Sequence, residues 1–220
     1  MDTEVTKLKT QIRHIGHEIR NQLSICDIYS EILKKHLIKE GVKNSSIDNA
    51  LNCIQNAVKL IGNNLLDLKS MGDIVIHSCD SDKLLQNSIE MSKVYVKDKE
   101  INFIEDLESG VKILVDENKF QGCIINIIKN AIEAINVKGE INITAKTCDD
   151  YLVIDISNNG EPIPADKVND IFADGFTTKS TGSGVGLYLC KQNIEAMKGT
   201  VNLIQSNNVS TVFEIKVKKF

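Results

Sequence analysis

The chain has 220 residues, 42% hydrophobic and 25% charged, with a net charge of −4. That length allows one large domain or two modest ones, and the composition is that of a soluble globular protein. The mild acidic balance gives no reason to expect nucleic acid or an anionic membrane as partner. No apolar run approaches the roughly 20 residues of a membrane helix, and there is no signal-peptide h-region at the N-terminus, so the expected location is cytoplasmic. Cysteines 26, 53, 79, 123, 148 and 190 form no C-x-x-C and stand near no histidine at metal-ligand spacing. Reduced thiols are the expected state.

The first third predicts an antiparallel helical hairpin. Val5, Leu8, Ile12, Ile15 and Ile19 recur at threes and fours, and Leu23, Ile28, Ile32 and Leu33 continue the pattern. Residues 3–39 would form one helix on the order of 55 Å long. Residues 40–44 break it, with Gly41 as C-cap. A second helix, capped by Ser45 or Ser46, carries the heptad-like seam Ile47, Leu51, Ile54, Val58, Ile61, Leu65 and Leu68. Two helices cannot bury both seams alone. Pairing two hairpins into a four-helix bundle solves this, which predicts a homodimer.

The first helix carries Gly16-His17-Glu18-Ile19-Arg20-Asn21-Gln22-Leu23. His17 lies between the seam residues Ile15 and Ile19, which predicts that it points away from the core. An imidazole is a nucleophile near neutral pH when a carboxylate orients the ring, and Glu18 is placed to do so. Asn21 lies one turn on, on the same face. His14 is the competing candidate, but no acidic residue follows it directly.

From about residue 72 the pattern becomes mixed. Residues 74–77 predict a short strand, and residues 80–96 a helix capped by Asp80 or Ser81. Strands at 100–105 and 111–115 flank a turn at Glu108-Ser109-Gly110, and a strong helix follows at 116–135. A hairpin at 140–147 and 151–157 turns around Asp149-Asp150. Strands at 200–205 and 211–218 close the sheet. Helices gathered apart from strands that neighbour one another in sequence predict an α+β chain, its second domain a two-layer α/β sandwich. The domains expected are residues 1–71 and 72–220.

Helix 116–135 is apolar over most of its circumference, yet Asn126 and Asn130 share one face at i,i+4, with Lys129 and Glu133 alongside. Buried amides are costly without partners. A pair of amide oxygens can hold Mg²⁺ directly or through its waters, phosphate oxygens completing the shell. At the end of the second hairpin strand, Asn158-Asn159-Gly160 forms a tight turn. The side chain of Asn158, just before Asn-Gly, can face the sheet interior and accept a hydrogen bond from an exocyclic amine. The run Phe176-Thr177-Thr178-Lys179-Ser180-Thr181-Gly182-Ser183-Gly184-Val185-Gly186-Leu187 then opens a helix. Alternating glycines let the backbone turn tightly and approach closely, and a helix N-terminus presents free N–H groups to a phosphate chain. It fits neither a Rossmann turn nor a P-loop.

In this order, these segments resemble the sensor histidine kinases of bacterial two-component systems, over nearly the whole chain. Residues 16–23 resemble the family's H box, 126–134 its N box, 157–164 its first glycine box, 171–179 its F box and 182–187 its second glycine box. The resemblance implies a Bergerat-type ATP-binding fold joined to a dimerising histidine hairpin. It makes His17 the phospho-acceptor, Asn130 the Mg²⁺ ligand with Asn126 assisting, and residues 177–186 a lid over the triphosphate of ATP. Lys129, Asn158, Gly160, Thr177, Thr178, Lys179, Gly182, Ser183, Gly184, Val185, Gly186 and Leu187 complete the expected nucleotide site. The implied partner is the aspartate of a response regulator, with Asn21 orienting water for its dephosphorylation. The sequence shows no membrane span or sensory domain, so the expectation is either a kinase driven by a separate sensory or activating protein or the catalytic part of a longer protein. Two positions depart from the family: Asn158 stands where Asp is usual, and Gln22 where Pro is usual.

Two other readings compete. One is a histidine phosphotransfer or scaffold protein with a degenerate nucleotide domain, favoured by Asn158. The other is an ATPase clamp related to type II topoisomerases or mismatch-repair proteins. Those enzymes place a carboxylate one turn before the magnesium asparagine to activate water. Here that position is Asn126, which cannot serve as a base.

Overall fold

A computed structural model describes residues 74–177 and 184–220, together with 19, 23, 25, 26, 28–30, 32–37, 39, 47, 51, 54 and 58. The chain divides into two units, Met1–Gly72 and Asp73–Phe220. In the first, every described residue is helical. Ile25, Ile28, Tyr29, Ile32 and Leu33 are exposed there, while Leu51 and Ser30 are buried. The Ser30 hydroxyl donates to the Cys26 carbonyl at 2.8 Å, one helical turn back.

The second unit runs β1 (His77–Asp80), α1 (Ser81–Ser92), a 3₁₀ turn (Lys93–Tyr95), β2 (Glu100–Leu107), β3 (Lys112–Val115), α2 (Glu117–Ala134), β4 (Lys138–Cys148), β5 (Tyr151–Asn158), α3 (Gly186–Ala196), β6 (Thr200–Ser206) and β7 (Thr211–Lys218). Five strands form one sheet in the order β2-β4-β5-β7-β6, and β1 pairs with β3 in a second. β2 and β4 are parallel, while the other neighbours are antiparallel.

Strand alternation builds the core. Ile141, Ile143 and Ala145 of β4, Leu152, Ile154 and Ile156 of β5, and Phe213, Ile215 and Val217 of β7 are buried on one face. The intervening Asn142, Thr144, Asp155, Glu214 and Lys216 stand on the other, more accessible face. The buried columns share one core cluster with Phe120, Ile124, Ile127, Ile128 and Ile132 of α2 and with Cys190 and Ile194 of α3. A side chain of that size contributes about 1.5–3 kcal/mol when fully buried. Helices on one face of a sheet make the two-layer sandwich expected for this part of the chain.

Two elements differ from the expectation by more than two residues at an end. The strand predicted at 74–77 lies at 77–80, because its partner is β3: His77 pairs with Val115 and Asp80 with Lys112. Val75 and Ile76 are exposed, and the Val75 N–H donates to the Asp116 carboxylate at 3.0 Å. The helix predicted to reach 96 ends at Ser92 and tightens into the 3₁₀ turn. Asp80 is its N-cap but makes no side-chain cap bond; its carboxylate pairs with Lys83 at 3.0 Å instead.

Candidate nucleotide-binding site

The site is built on α2. Asp116 caps this helix, its carboxylate accepting from the Lys119 N–H. Asn126 and Asn130 are half-buried among buried isoleucines. They stand on one face by the helical repeat, so whatever reaches one reaches the other. Lys129 turns to an aromatic partner, its ammonium 5.1 Å from the centre of the Tyr95 ring.

Two glycines bring other segments onto this helix. At the first, a Cβ on Gly160 would lie 2.5 Å from the Ala134 carbonyl carbon and oxygen and 2.8 Å from the Ile135 nitrogen. The turn 158–160 is thus seated directly on the C-terminal end of α2. The Glu161 N–H donates to the Ala134 carbonyl at 2.8 Å, and the Asn136 amide donates to the Glu161 carboxylate at 2.8 Å. On the sheet side, the Glu140 N–H donates to Asn159 Oδ1 at 2.8 Å, and the Ile163 N–H donates to the Ser206 hydroxyl at 2.8 Å. Asn159 was not singled out from the sequence; the Asn-Asn-Gly run marks the turn, but not which amide holds it.

At the second, a Cβ on Gly186 would lie 2.8 Å from Asn126 Cγ and Oδ1, and closer still to Nδ2. The first residue of α3 therefore abuts the Asn126 amide. The N-cap residue of α3, Val185, makes no side-chain cap bond, and the first turn of α3 carries no acidic residue. A negative group near that end meets the positive pole of the helix dipole, and no carboxylate of the first turn competes with it. Gly184 has φ +69°, and a Cβ there would lie 2.8 Å from the Phe176 nitrogen. The two described ends of the glycine loop thus meet at Gly175-Phe176. Phe176 is half-buried against the core with Leu187, and Thr177 is exposed. Thr178, Lys179, Gly182 and Ser183 lie outside the described residues, as do His17, Glu18 and Asn21.

Asn158 ends β5 on the buried face and is 4% exposed. Its Nδ2 has no hydrogen-bond partner among the described residues.

Residues 115–219 match the family described as histidine kinase-, DNA gyrase B-, and HSP90-like ATPase. Curated proteins similar to the chain include several named sensor histidine kinases. Sensor histidine kinase ZraS of Escherichia coli (strain K12) is 23% identical over 202 residues, an alignment covering 91% of this chain and 43% of that protein. The chain thus spans less than half the length of this curated relative. Among solved structures, the catalytic domain of histidine kinase ThkA superposes with a TM-score of 0.61 at 25% identity, covering 66% of this chain and 96% of that domain. ThkA in complex with response regulator protein TrrA superposes with a TM-score of 0.60 at 22% identity, covering 100% of this chain and 64% of that one. Among the described residues no helix is long and apolar enough to cross a membrane.

Proposed function

We propose that this chain is the catalytic core of a protein histidine kinase. It transfers the γ-phosphoryl group of ATP to His17, and from there to an aspartate of a response regulator. The observation that carries this reading is the convergence of the Gly160 turn and the Gly186 helix start on the asparagine helix. It supports a base-reading residue, a magnesium face and a phosphate-binding helix end built around one element. The regulator is suggested by the complex of ThkA with TrrA. The exposed Ile25, Ile28 and Ile32 support pairing of two hairpins into a homodimer.

Transfer needs little covalent work from the protein. An imidazole nitrogen of His17 attacks the γ-phosphorus in line, the bond to the bridging oxygen breaks, and ADP leaves with that electron pair. Glu18 holds the ring for attack. Backbone N–H groups at the start of α3 and the Lys179 ammonium stabilise the phosphate oxygens. Asn130 and Asn126 would hold Mg²⁺, which when bound neutralises phosphate charge. Their amide oxygens suit a hard cation whose remaining ligands are phosphate oxygens and water. Asn126 cannot deprotonate water, which favours transfer to a side chain over hydrolysis. Asn21, one turn after His17, would orient the water that removes phosphate from the regulator.

Incubation with Mg-ATP labelled on the γ-phosphate tests the reading. An acid-labile, base-stable label is expected, and His17→Gln should abolish it while the oligomeric state is kept. Full labelling of that variant, or loss of label only in a His14 variant, would overturn the assignment of His17. A wild-type protein that neither binds ATP nor labels would favour the phosphotransfer scaffold.

A further inference from the structure

The buried face of the sheet changes character at one end. Along β5 it presents Leu152, Ile154 and Ile156 and then Asn158; along β7 it presents Val217, Ile215 and Phe213 and then Thr211. Asn158 and Thr211 are register partners, and each is 4% exposed. The Thr211 hydroxyl is matched with the Ser206 hydroxyl at 3.0 Å. The Asn158 amide nitrogen has no such partner among the described residues. A buried donor left unmade costs about 1–3 kcal/mol, so a ligand acceptor brought to it recovers more than an ordinary surface contact would. Among the described residues no acceptor holds Nδ2, so the hydrogen bonding of that atom does not favour one of the two amide orientations related by a half-turn about χ2.

That freedom bears on which base the site takes. A 6-aminopurine presents an amine donor beside a ring acceptor, and a carboxamide complements both at once. A 6-oxopurine presents a carbonyl acceptor beside a ring N–H donor, and the same carboxamide complements that pair after a half-turn. A carboxylate, which only accepts, matches the amine and opposes the carbonyl. We infer that Asn158 makes this site accept 6-oxopurine nucleoside triphosphates as well as ATP. The inference rests on the nucleotide reading proposed above and adds the breadth of its substrate class.

Calorimetric titration of the full chain with Mg-ATP and Mg-ITP tests it, ITP being chosen because it lacks the extra amine of GTP. Wild type should bind the two within about threefold, because either base edge is fully paired. Asn158→Asp should favour ATP over ITP by roughly thirtyfold or more, since the carboxylate leaves the 6-oxo group facing an acceptor. A wild-type preference for ATP of tenfold or more would overturn the inference, whether or not the variant folds. An unchanged ratio in a folded variant, confirmed by its melting transition, would overturn it too. Binding of ATP alone leaves the kinase proposal standing, whereas binding of neither triphosphate removes both.

Discussion

The turn at Gly160 and the helix start at Gly186 both press against α2, but they meet different parts of it. Gly160 meets the backbone of Ala134 and Ile135 at the end of the helix, whereas Gly186 meets the side chain of Asn126 midway along it. Backbone at the end of a helix whose side chains fill the core cannot shift without moving Ile132 and Ile135, which are 0% and 1% exposed. An amide on a half-buried face can rotate away about χ1 and χ2 for about 0.5–1.5 kcal/mol. The same residue type therefore serves two ends. At 160 it fixes how the sheet and helix layers join; at 186 it fixes where the Asn126 amide stands.

The largest effect is expected at Gly160. Gly160→Ala overpacks against fixed backbone and should cost about 3 kcal/mol. For a domain of this size that lowers Tm by roughly 6–12 °C, with nucleotide affinity falling because the Asn158 turn moves. A variant melting within 2 °C of wild type (about the shift that 0.5–1 kcal/mol would give) would show that the end of α2 yields, and the contrast with Gly186 would disappear.

Gly184→Ala should cost less, about 1–2 kcal/mol, mainly because a side chain at φ +69° is strained. The neighbouring backbone at Gly175-Phe176 belongs to a surface turn in which Gly175 is exposed, so it can give where Ala134 cannot. The check is thermal denaturation beside the Gly160 variant. A larger loss at 184 than at 160 would mean that loop closure, not the seat on α2, limits stability.

How much of this was legible before folding follows the range of the forces involved. α2 was readable nearly to the residue, because its apolar repeat and its Asp116 cap are local signals. The hairpin of β4 and β5 was readable for the same reason, down to Asp149, which takes φ 52° at the turn. β1 was not. The sequence Ile74-Val75-Ile76 has strand chemistry, yet the strand forms over His77-Ser78-Cys79-Asp80 because β3 pairs there. The parallel pairing of β2 with β4 is likewise set by tertiary packing, since α2 must cross between them. In the site, the i,i+4 amides and the glycine turns were visible as types. That Gly160 rests on Ala134, that Gly186 rests on Asn126, and that Asn159 rather than Asn158 ties the turn to β4 are long-range facts. No local pattern encodes them.

The smallest effect is expected at Gly186, and a double-mutant cycle reads it. At a backbone position that alanine can adopt, replacing glycine stabilises by about 0.4–1 kcal/mol, while pushing the Asn126 amide aside costs about 0.5–1.5 kcal/mol. These nearly cancel, so Gly186→Ala alone should leave Tm within about 2 °C of wild type. In an Asn126→Ala background the obstacle is gone and the gain from alanine acts unopposed. There the same substitution should stabilise the protein by about 0.4–1 kcal/mol, so the two sites couple although neither change alone unfolds anything. Urea denaturation of the four proteins measures the coupling. The single Gly186→Ala change should still weaken ATP binding, because the displaced amide is one of the proposed magnesium ligands. Equal effects of Gly186→Ala in both backgrounds would mean that Asn126 does not bear on the start of α3, and the distinction between a backbone seat and a side-chain seat would fail at its second half.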